Sequence, residues 1–284
     1  MEFIKNYRTN DVLRRSFNKL AENTFGINFE SWYQNGFWND LYIPYSISEN
    51  DEIIANVSVN LIDISCDKGI LHLIQPGTVM TKTEYRNQGL IRKIMTEIEK
   101  DFAHRIDGVF LFANDEVLDF YPKFGFEKAK EFQYSKHVNI TEKATIKHSP
   151  LKCKDEWDVL VKAINSNQFC GRFDMTNNSD LVMFYVSNFM QENVYYNEVM
   201  NAYVIAEIDG ENLFIHNVFA NSQVELDKII ASFGSRIKNV SLGFVPKDTN
   251  GYDVKELKED DTTLFVRGFS FENKKLMFPT LSHA

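Results

Sequence analysis

Two stretches of this chain bring together residue types that could do chemistry side by side. In the first, Thr78-Val79-Met80-Thr81 leads through Tyr85-Arg86-Asn87-Gln88-Gly89-Leu90-Ile91-Arg92, so that a strand runs through a basic, glycine-containing turn into an amphipathic helix. The first amides of a helix have no acceptor within it and lie at the positive end of its dipole, so such a turn suits an anion. Gly89 lets a ligand approach the backbone closely, and Arg86, Arg92 and Lys93 add local positive charge. Standing alone, Gly89 reads equally well as an ordinary turn residue. In the second stretch, Val109–Ala113 is a short apolar run ended by Asn114, and Asp115–Lys123 is a short helix that carries Phe120-Tyr121 and leaves through Gly125-Phe126. Asn114 suits an N-cap, a ligand contact, or both.

The elements that must position these residues are legible from periodicity. Phe3–Tyr7 is a short strand, and Asn10 or Asp11 caps a helix with apolar positions at Val12, Leu13, Phe17, Leu20 and Ala21. Alternation over Ile43–Ser48 and Ile53–Ile64 around Glu49-Asn50-Asp51 is a hairpin, and Asp67-Lys68-Gly69 turns the chain into Ile70–Thr81. Leu90, Ile91, Ile94, Met95, Ile98 and Phe102 form one stripe of the helix after Gly89. Phe126–Val138 reads as the last strand of this half. The second half repeats the order: helices over Asp155–Ile164 and Asp180–Met190, a hairpin at Asp209-Gly210 between Tyr203–Ile208 and Leu213–Phe219, a helix over Ser222–Phe233, and a strand over Asn239–Val245. Further strands fall near Thr262–Arg267 and Leu276–Phe278. The expectation is an α/β (α+β) protein of two similar modules, each a mixed, mostly antiparallel sheet flanked by helices, residues 1–140 and 141–284.

Composition narrows the function. With 284 residues, 44% hydrophobic and 25% charged, the chain is an ordinary globular one of two-domain size. Residues 1–140 hold 16 basic and 20 acidic side chains and the remainder 15 and 20, so neither half is a basic nucleic-acid module. At a net charge of −9, an anionic ligand needs a local cluster to hold it. Cys66, Cys153 and Cys170 are too few and too scattered for a disulfide framework or a zinc site, so no metal is expected. Met1–Arg8 lacks the apolar run of a signal peptide and no stretch approaches the ~20 apolar residues of a membrane span, which points to a cytoplasmic protein without membrane partners.

Taken together, the two stretches resemble the GNAT superfamily of acyl-CoA-dependent N-acyltransferases over about residues 1–138. That family has an Arg/Gln-x-x-Gly-x-Gly/Ala turn after its fourth strand and, about 25 residues later, a strand ending in Asn, a Phe-Tyr helix and a Gly-Phe exit. Arg86 and Gly89 fill the first two turn positions; Asn114, Phe120-Tyr121 and Gly125-Phe126 complete the second signature. One departure is Ile91, where Gly or Ala is usual; it lies on the helix's apolar stripe, and some tandem-module acetyltransferases of the enhanced-intracellular-survival type also carry a larger apolar residue there. The resemblance implies acetyl-CoA as co-substrate in a V between splayed strands, held by the Val79-Met80-Thr81 backbone along its pantetheine arm. The N–H groups from Gln88 to Ile91 (Gln88, Gly89, Leu90, Ile91) would hold its pyrophosphate, Arg86 and Asn87 would belong to the same cofactor-binding turn, and Asn114 would be a further cofactor contact. It also implies direct attack by an amine on the thioester, with Tyr121 protonating the departing thiolate. A phenol of pKa about 10 serves a thiolate of about 8.5 only where a short hydrogen bond and burial help.

The acceptor is expected to be a small-molecule or peptide amine. No general base is legible: His72 and Asp63 read as surface or core residues, and Glu84 as solvent-facing. By resemblance to some tandem-module relatives, the Ala284 carboxylate is a candidate. The eight aromatics from Phe25 to Tyr45 fall where the family walls its acceptor pocket, so Trp32, Tyr33, Phe37 and Trp38 either stack on an acceptor or form core between the modules. The second module, with Ala220-Asn221-Ser222-Gln223 in place of the glycine turn and Pro246-Lys247-Asp248 after its later strand, reads as a degenerate copy without its own cofactor site. Two rival readings keep the pocket: a non-catalytic acyl-CoA sensor, and a transferase for longer acyl chains.

Overall fold

The structure, a computed structural model, describes residues 1–169, 171–271 and 274–283; Cys170 and the Ala284 carboxylate lie outside the described residues. The front half runs β1 (Glu2–Lys5), α1 (Asp11–Phe25), α2 (Glu30–Gln34), β2 (Tyr42–Glu49), β3 (Glu52–Cys66), β4 (Gly69–Thr81), α3 (Leu90–Phe102), β5 (Gly108–Ala113) and β6 (Glu127–Lys128). The Asn10 carboxamide oxygen accepts from the amides of Val12 and Leu13 and starts α1, and Gly26, at φ 71°, ends it in the left-handed region. Asn50 and Asp51, at φ 52° and 61°, make the two-residue turn between β2 and β3. The stripe on α3 is buried at Leu90, Ile94, Met95, Ile98 and Phe102 against this sheet, while Ile91 is half-buried at its edge.

The second half runs β7 (Phe132–His137), β8 (Lys147–His148), α4 (Lys154–Asn165), β9 (Asp174–Thr176), α5 (Ser179–Asn188), β10 (Val194–Asn197), β11 (Ala202–Asp209), β12 (Asn212–Ala220), α6 (Leu226–Ala231), β13 (Asn239–Leu242), β14 (Asp253–Glu256) and β15 (Thr263–Arg267). Two mostly antiparallel sheets with flanking helices result, as expected. Their strand orders are β1-β2-β3-β4-β5-β15-β6, with β9 beside β3, and β14-β7-β13-β12-β11-β10-β8.

The sheets exchange strands. Phe126–Val138 is not one final strand of the front sheet. It breaks at Ala129–Glu131 into β6, at the front edge, and β7, which crosses over to lie between β13 and β14. In return β15 enters the front sheet and pairs antiparallel with β5 from Thr263↔Ala113 to Arg267↔Val109. With β9, which pairs antiparallel with β3, three strands therefore cross the expected division at residue 140. Alternation says that one face of a strand is buried; it carries no information about which sheet supplies the neighbour.

Three smaller expectations change as well. Asp115–Lys123 is two 3₁₀ turns, Asp115–Val117 and Tyr121–Phe124, because Pro122 interrupts the α-helical ladder. The helix expected over Ser222–Phe233 is only Leu226–Ala231. Leu276–Phe278 is not a strand but a buried segment held by Phe132 N donating to Leu276 O at 2.9 Å and Phe278 N to the Glu131 carboxylate at 2.7 Å. A continuous apolar run marks burial without deciding conformation.

Candidate active site

The site begins where β4 and β5 part. These parallel strands are in register only at Leu73↔Gly108 and Ile74↔Val109; beyond that β4 continues to Thr81 with one edge unpaired. On its other edge Asn56 faces Met80 and Ser58 faces Gly77, so Val57 opposes both Thr78 and Val79: a bulge, with Thr78 at φ 48°. A threonine in the left-handed region is strained and needs support. A buried polar chain gives it. Tyr7 Oη meets Ser46 Oγ at 2.7 Å, Ser46 Oγ donates to Asn56 Oδ1 at 2.7 Å, and Asn56 Nδ2 donates to Thr78 O at 2.9 Å. Lys82 N donates to Ile54 O, so by alternation the Thr81 amide faces the open edge.

From β4 the chain passes a 3₁₀ turn at Thr83–Tyr85 and reaches α3 through Asn87 at φ 61° and Gly89 at φ 73°. None of the six amides from Asn87 to Arg92 has an acceptor among the described residues, since the first bond of the helix entry is Lys93 N to Gly89 O. No side chain caps α3. Six donors without an acceptor among the described residues, at a dipole's positive end, are an arrangement that could hold an anionic group. Nothing stands within 4 Å of a Cβ placed on Gly89, so positive φ, not lack of room in the protein, is what calls for glycine there. Arg86 reaches back to Thr81 O at 3.5 Å and is exposed with Arg92 and Lys93.

At the end of β5, Asn114 does not cap the following turn. Its Nδ2 donates to Asp261 at 2.8 Å, and the other Asp261 oxygen accepts from Asp115 N at 2.7 Å, so the turn before β15 fastens the end of β5. Tyr121 is buried against Phe120, Phe126 and Phe265, and burial pushes its phenol up to about 12. Its hydroxyl makes no hydrogen bond among the described residues.

Tyr121, Asn114, Thr78 and Val79 border one cavity of about 1080 Å³. Phe25, Phe29, Trp32 and Tyr42 close it from the front half; Leu181, Phe184, Tyr185 and Phe189 of the α5 region close it from the second. The aromatic segment thus divides. Phe29 stacks on Phe184 at 5.3 Å and Trp32 Nε1 donates to Asp180 O at 2.9 Å, both at the cavity wall, whereas Phe37 and Trp38 are packed core and Tyr33 lies under the Arg14 guanidinium at 3.8 Å. Met80, Arg86, Asn87, Gln88, Gly89, Leu90 and Ile91 do not line the cavity; Arg86 borders a neighbouring groove with Thr81. His72 and Asp63 bind each other at 2.7 Å on the surface and, like Glu84, are not among the cavity's lining residues.

Sequence reasoning missed Asp260, Asp261 and the α5 wall. No local signal marks them, because strand exchange alone carries the turn before β15 to the end of β5. In the second sheet, β12 and β13 pair in parallel over Asn212–Ile215 and Asn239–Leu242, the counterpart of β4 and β5. Here the chain itself enters the splay: Thr280 N donates to Gly243 O at 2.8 Å, and Thr280 Oγ1 lies 3.0 Å from His216 Nδ1.

Comparison with known proteins follows the same outline. Residues 7–129 match the family model described as an acetyltransferase (GNAT) domain. Among solved structures, the chain is similar to a probable N-acyltransferase from Enterococcus faecalis V583, at 18% identity and TM-score 0.63 over 94% of this chain and 71% of that one. It is similar also to Eis1 from Mycobacterium abscessus, at 11% identity and TM-score 0.56 over 93% and 73%, and to a GCN5-related N-acetyltransferase from Kribbella flavida, at 13% and 0.54 over 94% and 72%. These likenesses span both halves and establish a shared fold. No curated protein matches the sequence. Among the described residues no helix is long and apolar enough to cross a membrane.

Proposed function

We propose a reaction for a chain that carries a GNAT acetyltransferase domain in residues 7–129 and is a transferase of that type: acetyl transfer from acetyl-CoA to a primary amine, with Tyr121 as general acid. The observation that carries it is the run of six amides, Asn87–Arg92, without an acceptor among the described residues, one strand away from a buried phenol that borders a large cavity.

These residues offer the donors and the local positive charge that the co-substrate calls for. The Asn87–Arg92 amides would hold its diphosphate, with Arg86 and Arg92 adding charge; the unpaired edge of β4 at Val79 and Thr81 would pair with its amide-bearing arm. When bound, acetyl-CoA supplies an activated thioester: an N–C bond forms to the acetyl carbon as the C–S bond breaks. Aromatic walls keep water from competing with the amine. Tyr121 stays protonated through the neutral range and delivers its Oη proton to the leaving sulfur, whose own basicity burial also raises. The acceptor ammonium gives one proton to solvent before attack, and the proton lost on amide formation restores the phenol. The net reaction therefore releases one proton.

Calorimetry with coenzyme A tests the foundation, and loss of acetyl-CoA in the presence of amines tests the reaction. Tight binding coupled to thiol release is the expected outcome. Absence of heat on folded protein would remove the proposal altogether, and binding without turnover over a broad amine panel would leave a sensor.

A further inference from the structure

The walls of the cavity differ chemically from its cofactor end. Its charged lining residues are Asp115, Glu116, Asp260 and Asp261, with no Lys, Arg or His among the described ones. All four acids are exposed at the mouth. Asp261 is kept ionised by hydrogen bonds from Asn114 and the Asp115 amide. Deeper in, Asn60 is 4% exposed, borders the cavity, and has a side-chain nitrogen without a hydrogen-bond partner. A buried N–H left unpaired is costly, so this donor suits a hydrogen-bond acceptor that enters the cavity, which a deprotonated amine nitrogen is and an ammonium is not.

The second feature is apolar. Phe25, Val117 and Phe189 are 45%, 38% and 58% exposed, and all three border this one mouth. Single exposed apolar residues need no explanation, but three around one opening mark a surface that meets an apolar partner. Inside, Ile27, Phe29, Phe112 and Phe184 continue the same character.

We propose that the acceptor is an amphipathic primary amine, with one cationic nitrogen on an aromatic or branched apolar body and no carboxylate. The proposal rests on the acetyl-transfer reading above and names its substrate class. The four acids draw the ammonium to the mouth and repel a carboxylate, an effect that weakens as salt rises. The aromatic walls take the body, and the nitrogen deprotonates on passing from the wet, acidic mouth to the drier interior, where a neutral amine is favoured.

The test compares three amines at saturating acetyl-CoA by thiol release: 2-phenylethylamine, phenylalanine and ethanolamine. They share the amine and differ by a carboxylate or by the apolar body. The expected kcat/KM is greatest for 2-phenylethylamine, by about tenfold or more over ethanolamine for the lost apolar contact. The margin over phenylalanine is also about tenfold, from several weak exposed charge interactions acting together. In the double variant Glu116→Gln, Asp260→Asn, that margin should shrink several-fold while coenzyme A still binds by calorimetry. If coenzyme A binds and 2-phenylethylamine is no better than its two competitors, or is not acetylated, the acceptor class is wrong and the co-substrate site survives. If coenzyme A gives no heat, the acetyl-transfer reading itself falls.

Discussion

Tyr121 couples burial to acid strength. A phenol raised to about 12 is protonated at every pH the protein meets, so its own titration cannot end activity in the neutral range. The expected kcat/KM profile therefore rises with pH as the acceptor ammonium loses its proton, and shows no descending limb below about pH 11. A fall near pH 9 would assign the acid elsewhere. Tyr121→Phe should lower kcat by about 10²-fold while leaving coenzyme A affinity nearly unchanged. Equal turnover would take Tyr121 out of the mechanism. Thr78 shows a different dependence: its strained backbone is held by Asn56, two strand residues that no motif pairs.

At the scale of elements, the turn into α3 was legible because its requirements are local: a helix stripe, a glycine, and no capping side chain. Gly89→Val tests them. Nothing crowds a side chain there within the protein, so the cost comes from φ 73° and is roughly 1–2 kcal/mol of stability. Re-aiming the Leu90 and Ile91 amides should weaken coenzyme A binding by about tenfold or more, read by calorimetry, since each misdirected donor loses a charge-assisted bond. Unchanged affinity would put the diphosphate elsewhere. The strands were equally legible one by one, and their partners were not. β7 and β15 each alternate as half-buried strands do, and neither pattern distinguishes the front sheet from the second.

Strand exchange and a shared core tie the two halves together, so one cooperative unfolding transition is expected. Phe278 stacks on Phe110 of β5 at 3.8 Å and on Phe271 at 5.3 Å, where the two halves share core. Phe278→Ala should cost about 3–5 kcal/mol, and far-UV circular dichroism and tryptophan fluorescence should still report one coincident transition. Two separated transitions would mean that the halves unfold independently. Glu131 adds a pH dependence to the same junction. Its buried carboxyl, bonded to the Phe278 amide, is raised from 4.5 to about 8, chiefly by desolvation. A raised carboxyl releases its proton more readily in the unfolded chain, so its contribution is full below about pH 4.5 and is lost as pH rises toward 8. Buried Asp174 and Asp180, at about 6, slope the same way. Glu131→Gln keeps an oxygen for the Phe278 amide and should raise Tm by several degrees at pH 8 and by little at pH 5, measured by thermal scans. An equal shift at both pH values would rule out the carboxyl's charge as the cause.

What the sequence determined by itself was everything carried by short-range pattern: the helices and strands with few exceptions, the glycine turn into α3, Tyr121 just beyond the end of β5, and the α/β class with mostly antiparallel sheets flanked by helices. Tertiary structure alone decided which strands pair across the division at 140, how Asp261 comes to hold Asn114, and how the α5 aromatics come to close the cavity over Tyr121. The physical reason is range. Propensity, capping and periodicity act within a few residues, whereas an acid at 261 meets an amide at 114 only after two sheets have traded strands.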